Sequence, residues 1–100
     1  MTGPQLTIIV RRTKVSVVAG QTAELVCYQD ESSQITLFWS RSNGLPPGST
    51  QDNGVLTIPN VQPSYAGKYV CTGTEAETGR VGTSTVVLQV DAEPQREYSC

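Results

Sequence analysis

Two cysteines and a tryptophan constrain the fold of this chain more than any other feature of its sequence. Cys27 is followed twelve positions later by Trp39, and Cys71 comes after both. This order and approximate spacing is typical of two facing β-sheets joined by a disulfide that packs against an indole ring. A disulfide that closes a loop of about 45 residues would stabilise the folded chain by about 4 kcal/mol under the loop-entropy model.

Apolar residues alternate with a period of two along most of the chain, and no window repeats them at the spacing of a helix. In the segment around the first cysteine, Ala23, Leu25 and Cys27 fall on one side of a strand. Four further segments follow the same alternation: 34–41, 55–58, 68–74 and 81–90. Turn signals recur at intervals of roughly 8 to 12 residues, which indicates about seven or eight short strands. The sequence therefore predicts an all-β sandwich of two antiparallel sheets.

Proline and glycine mark the connections between these strands. Segment 42–49 contains both residue types and is predicted to be a loop or an irregular edge, because proline cannot donate a hydrogen bond within a central strand. The dipeptide Asn53-Gly54 tolerates positive φ angles and comes just before segment 55–58. We expect a hairpin there.

A tyrosine near the second cysteine predicts how one corner of the sandwich is built. Tyr69 precedes Cys71 by two residues, the position at which a tyrosine hydroxyl reaches back to the backbone. Gly67 allows the chain to turn tightly into the strand. Leu25 and Leu56 point inward in the alternation, and we expect both in the core.

Segment 53–73, NGVLTIPNVQPSYAGKYVCTG, resembles the intermediate set of the immunoglobulin superfamily. It is similar in particular to the repeats of the perlecan family of basement-membrane heparan sulfate proteoglycans, and segments 37–41 and 43–46 extend that similarity. The resemblance covers roughly residues 7–90. It implies an immunoglobulin-like Greek-key β-sandwich with one inter-sheet disulfide between Cys27 and Cys71.

Position 65 departs from the family pattern. The family usually has an acidic residue there, paired with an arginine near the start of the short fourth strand. This chain has Tyr65, and it has no arginine between Thr50 and Ile58. An exposed ion pair contributes only ~0–1 kcal/mol, so we expect the fold to persist with other contacts at the corner.

The residues that usually carry out catalysis are scarce. The chain contains no histidine, which removes the commonest general base and metal ligand. The carboxylates of Asp30-Glu31 and of Glu75 and Glu77 lie in expected loops, and we interpret them as solvated charges. No calcium-binding loop, zinc ligand set or glycine-rich phosphate loop is present in the sequence. We predict that the chain is not an enzyme and needs no metal or cofactor.

Charge and hydropathy exclude two classes of partner. The net charge of −2 gives no reason to expect nucleic-acid binding. No apolar run approaches the ~20 residues needed to cross a bilayer, so we expect no membrane insertion. Arg11, Arg12 and Lys14 form the only basic cluster of the sequence, which would either attract a sulfated polysaccharide or protect a strand edge.

The sheet that contains Trp39 is the first place to expect a protein partner. Its outward residues include apolar side chains on neighbouring strands, a pattern that often marks an interaction surface. The candidate partner-binding residues are Phe38, Lys68, Val70 and Val87. Two alternatives stay open: such residues also favour strand formation by themselves, and the loop 75–80 is a second candidate epitope.

We divide the chain into leader or expression-derived residues 1–4, an immunoglobulin-like domain at 5–91 and a linker or tail at 92–100. Cys100 is the odd cysteine, which would form a bridge to another molecule, pair with a neighbouring module, or be a thiol engineered at the terminus. We favour a fourth interpretation, in which it results only from where the expressed fragment ends. The resemblance implies a secreted structural spacer and binding module of the basement membrane. Its partners would be extracellular matrix proteins, nidogen among them, and neighbouring immunoglobulin modules. The alternatives are a module of a cell-surface adhesion receptor and an elastic spacer of an intracellular muscle protein.

Overall fold

The computed structural model describes residues 7–29 and 35–92. Within these ranges the chain forms one 3₁₀ helix at Pro63–Tyr65 and eight strands: β1 Ile9–Val10, β2 Lys14–Val18, β3 Ala23–Tyr28, β4 Ile35–Ser40, β5 Thr50–Asp52, β6 Val55–Ile58, β7 Gly67–Glu75 and β8 Val81–Asp91. Four features of the sequence interpretation lie outside the described residues: the expected leader 1–4, the pair Asp30-Glu31, Gln34 at the start of the predicted strand segment 34–41, and the tail from Glu93 to Cys100.

The strands form two sheets of four. The first has the order β1-β3-β6-β5 and the second the order β2-β8-β7-β4. This arrangement confirms the predicted immunoglobulin-like sandwich. One pair differs from the expected antiparallel pattern, because β2 lies parallel to β8, with Lys14 opposite Val87. The bend at residues 11–13 carries the chain from the first sheet to the second without reversing its direction, so β2 runs the same way as β8.

Inward-facing side chains of both sheets form the core. Along β3 the buried positions alternate with more exposed ones, as expected for a strand with one face against the opposite sheet. The fully buried side chains include those of Trp39, Tyr69, Leu25, Leu56, Ile58 and Leu88. Cys27 on β3 and Cys71 on β7 are bonded across the core, with their Cα atoms 6.5 Å apart. The predicted inter-sheet disulfide is therefore confirmed.

A tight hairpin joins β5 to β6, as the sequence predicts. Asn53 and Gly54 both have positive φ angles, 52° and 84°, as the two central residues of a type I′ turn require. Gly54 also lies against neighbouring chain: a Cβ at this position would collide with the backbone carbonyl oxygen of Cys27 and lie 2.9 Å from Cδ1 of Leu37. The hairpin thus places the Gly54 carbonyl group inside the sandwich.

The free edge of β4 is covered by a side chain instead of a strand. Residues 42–49 form no strand, in agreement with the predicted loop, whereas Arg41, which was predicted to belong to the preceding strand, lies beyond the end of β4. The amide of Gln51 on β5 accepts a hydrogen bond from the Trp39 backbone N–H at 2.7 Å and donates one to the Trp39 carbonyl oxygen at 3.1 Å. These two bonds tie the edge of the second sheet to the edge of the first. They also hold the backbone of Trp39, which lies directly below the outer face of the second sheet.

Candidate partner-binding face

The outer face of the second sheet carries the apolar residues that the sequence singles out. Phe38 on β4 is 56% exposed and Val87 on β8 is 39% exposed. Val70 on β7 is half-buried, and Lys68 on the same strand is exposed. All four side chains therefore lie on one face, at least partly accessible to solvent.

The strand register sets the spacing between these apolar side chains. Phe38 lies opposite Thr72 of β7, whereas Val70 lies two residues away from Thr72 on that strand. Val70 lies between Ser40 on β4 and Thr85 on β8. Phe38 and Val70 are consequently diagonal neighbours, a relation in which Cα atoms are about 7–8 Å apart.

The same diagonal continues to Val87. This residue lies opposite Lys68 on one side and Lys14 on the other, two positions beyond the residue that pairs with Val70. We call Phe38, Val70 and Val87 the diagonal stripe. It crosses three strands, no two of its members are directly opposite each other, and two lysines flank its β8 end.

One apolar residue of this face was missed by the sequence interpretation. Val81, at the start of β8, is 46% exposed. It belongs to the same odd-numbered outward set of β8 as Val87. Extending the period-two alternation back to the first residue of the strand would have found it.

A rigid layer supports the stripe from below. The Trp39 side chain is fully buried, and its indole N–H donates a hydrogen bond of 2.8 Å to the Gly54 carbonyl oxygen. That bond joins β4 of the second sheet to the β5–β6 hairpin of the first. Phe38 is therefore attached to a strand that is fixed at the adjacent residue.

Other contacts take the place of the family's ion pair at the corner. The hydroxyl of Tyr69 donates a hydrogen bond of 2.6 Å to the carbonyl oxygen of Tyr65. The guanidinium of Arg41 donates to the Ser64 carbonyl oxygen at 2.7 Å, and its Cζ atom lies 5.3 Å from the centroid of the Tyr69 ring. Sequence reasoning missed Arg41, because it is 23 positions from the carbonyl group that it binds.

The corner makes the stability of the domain sensitive to alkaline pH. Burial raises the pKa of Tyr69 above its ordinary value of 10.0; the charge of Arg41 opposes this shift, and Tyr65 adds to it. Below about pH 10 the folded and unfolded chains both hold the proton, so the stabilisation is complete. Above about pH 10 Tyr69 loses its proton in the unfolded chain before it does so in the folded chain. The free energy of unfolding therefore falls as the pH rises through the pKa that Tyr69 has in the folded chain.

Comparison with Tyr69→Phe isolates this contribution. At neutral pH the variant is expected to be less stable by about 0.5–1.5 kcal/mol, because the bond to the Tyr65 carbonyl is lost. Urea unfolding between about pH 8 and pH 11.5 measures the difference between the two proteins, which should shrink above about pH 10. A difference that stays constant or grows over this range would contradict the assignment.

Glu75 corrects one expectation from the sequence. We expected a solvated loop charge, but Glu75 is 4% exposed, and its Oε1 accepts hydrogen bonds of 2.6 Å from Thr78 Oγ1 and from Arg80 Nε. Position 75 continues the inward set of β7 that contains Cys71, which explains its burial. Glu77 is exposed, as predicted. The carboxylate of Glu75 thus stabilises the turn of the β7–β8 hairpin.

Neither a metal-ligand cluster nor a membrane-spanning helix occurs in the described part of the chain. Across residues 7–29 and 35–92, no group of three or more histidine, cysteine, aspartate or glutamate residues is placed to hold a metal ion. Within those same ranges no helix has the length and apolar character needed to cross a bilayer.

Comparison with known proteins shows the family to which this chain is similar. The family model described as "Immunoglobulin domain" matches residues 4–75. The chain is 40% identical over 90 residues to the basement membrane-specific heparan sulfate proteoglycan core protein of Mus musculus, which covers 87% of the chain. It is 35% identical over 81 residues to the basement membrane proteoglycan of Caenorhabditis elegans, which covers 76% of it. The matched region spans only 2% of the length of each relative.

Solved structures with less sequence similarity share the fold. The Ig-like domain of human leucine-rich repeat-containing protein 4 superposes with a TM-score of 0.69 and 22% identity, over 96% of this chain and 95% of that one. Extracellular domains 3–5 of Drosophila OTK superpose with a TM-score of 0.73 and 23% identity, over 91% of this chain and 32% of that one. At this level of identity the likeness extends to the fold alone.

Proposed function

This chain belongs to the immunoglobulin domain family, and on that premise we propose that it is a secreted, non-catalytic module of a basement-membrane proteoglycan, of the intermediate set. In this role it is a structural spacer between neighbouring immunoglobulin modules, and it binds a matrix protein through the diagonal stripe. The observation that carries the proposal is the 40% identity to the mouse basement-membrane proteoglycan over 87% of the chain.

The disulfide supports an extracellular location. Bonds such as Cys27–Cys71 form and persist in oxidising compartments and are rare in the cytosol. An intracellular elastic spacer with this sequence would hold two reduced thiols in its core. The same bond suits the module of a cell-surface adhesion receptor, so the similarity to matrix proteoglycans is what favours the basement membrane.

The chemistry of the chain supports binding over catalysis. The sequence has no histidine, and the one carboxylate found buried among the described residues, Glu75, is held by Thr78 and Arg80 within its own hairpin. A general acid or base must instead be free to exchange a proton with a substrate. The proposal therefore includes no enzymatic activity, cofactor or nucleic-acid partner.

The diagonal stripe is the proposed contact surface. Phe38 contributes the largest exposed apolar side chain of the outer face, and aromatic residues commonly dominate the binding energy of an interface. Lys68 and Lys14 border the Val87 end and add positive charge to a rim. A matrix protein of the nidogen kind is the partner that the resemblance suggests, and neighbouring immunoglobulin modules are the second.

Substitution of Phe38 with serine tests the proposed surface. We expect Phe38→Ser to weaken binding to a panel of basement-membrane proteins that includes nidogen by at least about tenfold. Surface plasmon resonance measures the affinity, and thermal unfolding verifies that the variant is folded. Tyr28→Ser is the matched control, since Tyr28 is a 46%-exposed aromatic residue on the other sheet. Equal affinity of Phe38→Ser and the unsubstituted chain would exclude the stripe as the contact surface.

A further inference from the structure

A groove separates β2 of the second sheet from β3 of the first, on the side of the sandwich remote from β4. Half-buried Val15, Val17 and Val26 form its apolar lining. Its volume is about 260 Å³, below the range of about 300–1,000 Å³ that is usual for small-molecule sites. The groove has space for individual side chains of a longer molecule.

The edge of β2 that borders this groove has unused backbone groups. The Thr13 carbonyl oxygen accepts a hydrogen bond from Val87 N–H at 2.9 Å, and Ala19 N–H donates to the Asp91 carbonyl oxygen at 2.8 Å. The backbone N–H and C=O groups of the odd-numbered residues of β2 thus face β8. Because successive residues of a strand alternate in direction, the N–H and C=O groups of Lys14 and Ser16 face the opposite edge. No described residue is paired with them there.

The neighbouring edge of β3 is also open over part of its length. The two-residue strand β1 pairs only with Cys27 and Tyr28. Beyond it, Arg11 N–H donates to the Val26 carbonyl oxygen at 3.1 Å, so even-numbered residues of β3 face this side. The backbone groups of Glu24 therefore face the same opening. Two partly unpaired strand edges border one groove.

The charge beside the groove indicates which kind of strand could bind there. The exposed side chains of Arg11 and Arg12 line the groove, and Glu24 is the acidic residue of the same lining, so the lining carries one net positive charge on a chain whose net charge is −2. These charges would repel the same edge of a second copy, which is a usual means of preventing edge-to-edge aggregation. An acidic strand would meet attraction in place of this repulsion.

We propose that this groove binds an extended, acidic peptide segment of a partner protein, which adds to the open edge of β2 as a further strand. The backbone N–H and C=O groups of Lys14 and Ser16 pair with the peptide backbone. Alternate apolar side chains of the peptide contact Val15 and Val17, and its carboxylates face the arginines. The mode is strand addition, in which the backbone supplies affinity and the side chains supply specificity. The site uses the backbone of Lys14, whereas the side chain of this residue borders the diagonal stripe, and the two surfaces share no other residue.

An N-acetylated, C-amidated octapeptide of alternating aspartate and valine is a suitable probe. NMR titration of the ¹⁵N-labelled chain is expected to shift the amide signals of Lys14 and Ser16 and to slow their hydrogen exchange. Ser16→Pro removes the edge N–H while leaving the bonds to β8 intact, and should weaken binding at least about tenfold. Ser16→Thr keeps the N–H and should bind as the unsubstituted chain does. R11S/R12S should also lose at least about tenfold, whereas the matched R11K/R12K should not.

A chemical change in the peptide tests the same pairing on the unsubstituted chain, which avoids any question of folding. Two variants of the octapeptide are methylated on every second backbone nitrogen, one on the odd-numbered and the other on the even-numbered residues. One of the two lacks the N–H groups that pair with β2, and that peptide should not bind. Undiminished binding of both methylated peptides, or of Ser16→Pro, would overturn strand addition. Binding of a heparin-derived hexasaccharide but not of the peptide would assign the cluster to sulfated polysaccharide, and absence of peptide binding would also refute the proposal.

Discussion

Replacing both Cys27 and Cys71 with alanine is expected to lower the free energy of unfolding by about 4 kcal/mol. The bond joins residues 44 positions apart, and by the loop-entropy relation a closed loop of that size restricts the unfolded chain by about this amount. Single domains are stable by only about 5–15 kcal/mol, so the variant would lose a large part of its stability. Alanine is preferable to serine, because both positions are buried and a hydroxyl there would lack a partner.

Urea unfolding of two proteins measures this effect. One carries C100S alone and the other C27A/C71A/C100S, so that the third cysteine cannot form other bonds in either. Dithiothreitol should destabilise the first protein and leave the second unchanged. A difference of less than about 1 kcal/mol, or equal sensitivity to the reductant, would show that the bond does not have the expected role.

Truncation of Trp39 to alanine is expected to cost about 3–5 kcal/mol, as is usual when a buried aromatic side chain is removed. The side chain is fully buried between the sheets, and its loss leaves a cavity against the disulfide strands. The Gly54 carbonyl oxygen also loses its indole donor inside the sandwich. That oxygen keeps the hydrogen bond from the Cys27 backbone N–H at 2.9 Å, so the cavity accounts for most of the expected cost.

The adjacent residue supplies the matched control for Trp39→Ala. Phe38 is on the same strand and is 56% exposed, so Phe38→Ala should change the free energy of unfolding by less than about 1 kcal/mol. Chemical unfolding monitored by circular dichroism compares the two variants without requiring the indole fluorescence. Similar costs for both would contradict the assignment of Trp39 to the core and Phe38 to the face.

The sandwich could be predicted because its signals are local or regularly spaced. Alternation along each strand reveals which residues face inward, and the positions of Cys27, Trp39 and Cys71 indicate that two inward faces meet. The Asn53-Gly54 turn is equally local. The parallel pairing of β2 with β8 could not be read in this way, because it depends on a chain crossing between sheets at residues 11–13.

Side-chain contacts between distant segments account for most of what the sequence did not predict. Gln51 binds the backbone of Trp39 across the gap between two sheet edges, and Arg41 binds the Ser64 carbonyl group at the corner. Both are polar residues without a motif around them. Glu75 was assigned to solvent because acidic loop residues usually are solvated, although its place in the inward set of β7 argued otherwise.

The candidate face was predictable in membership but not in arrangement. Alternation alone identifies Phe38, Val70 and Val87 as outward residues, and it would have added Val81. Their diagonal relation depends on the strand registers, which no single strand specifies. The open edge of β2 required the hydrogen-bond directions of its backbone as well.

The redox state of Cys27 and Cys71 in the native protein is the most direct test of an extracellular, disulfide-bonded module. Free thiols are blocked by alkylation as the protein is collected from its own tissue or culture medium, and the digest is analysed by mass spectrometry without reduction. An extracellular module predicts that the peptides containing Cys27 and Cys71 are recovered joined by a disulfide. Recovery of both cysteines alkylated, in protein from an intracellular fraction, would contradict it and favour the intracellular spacer.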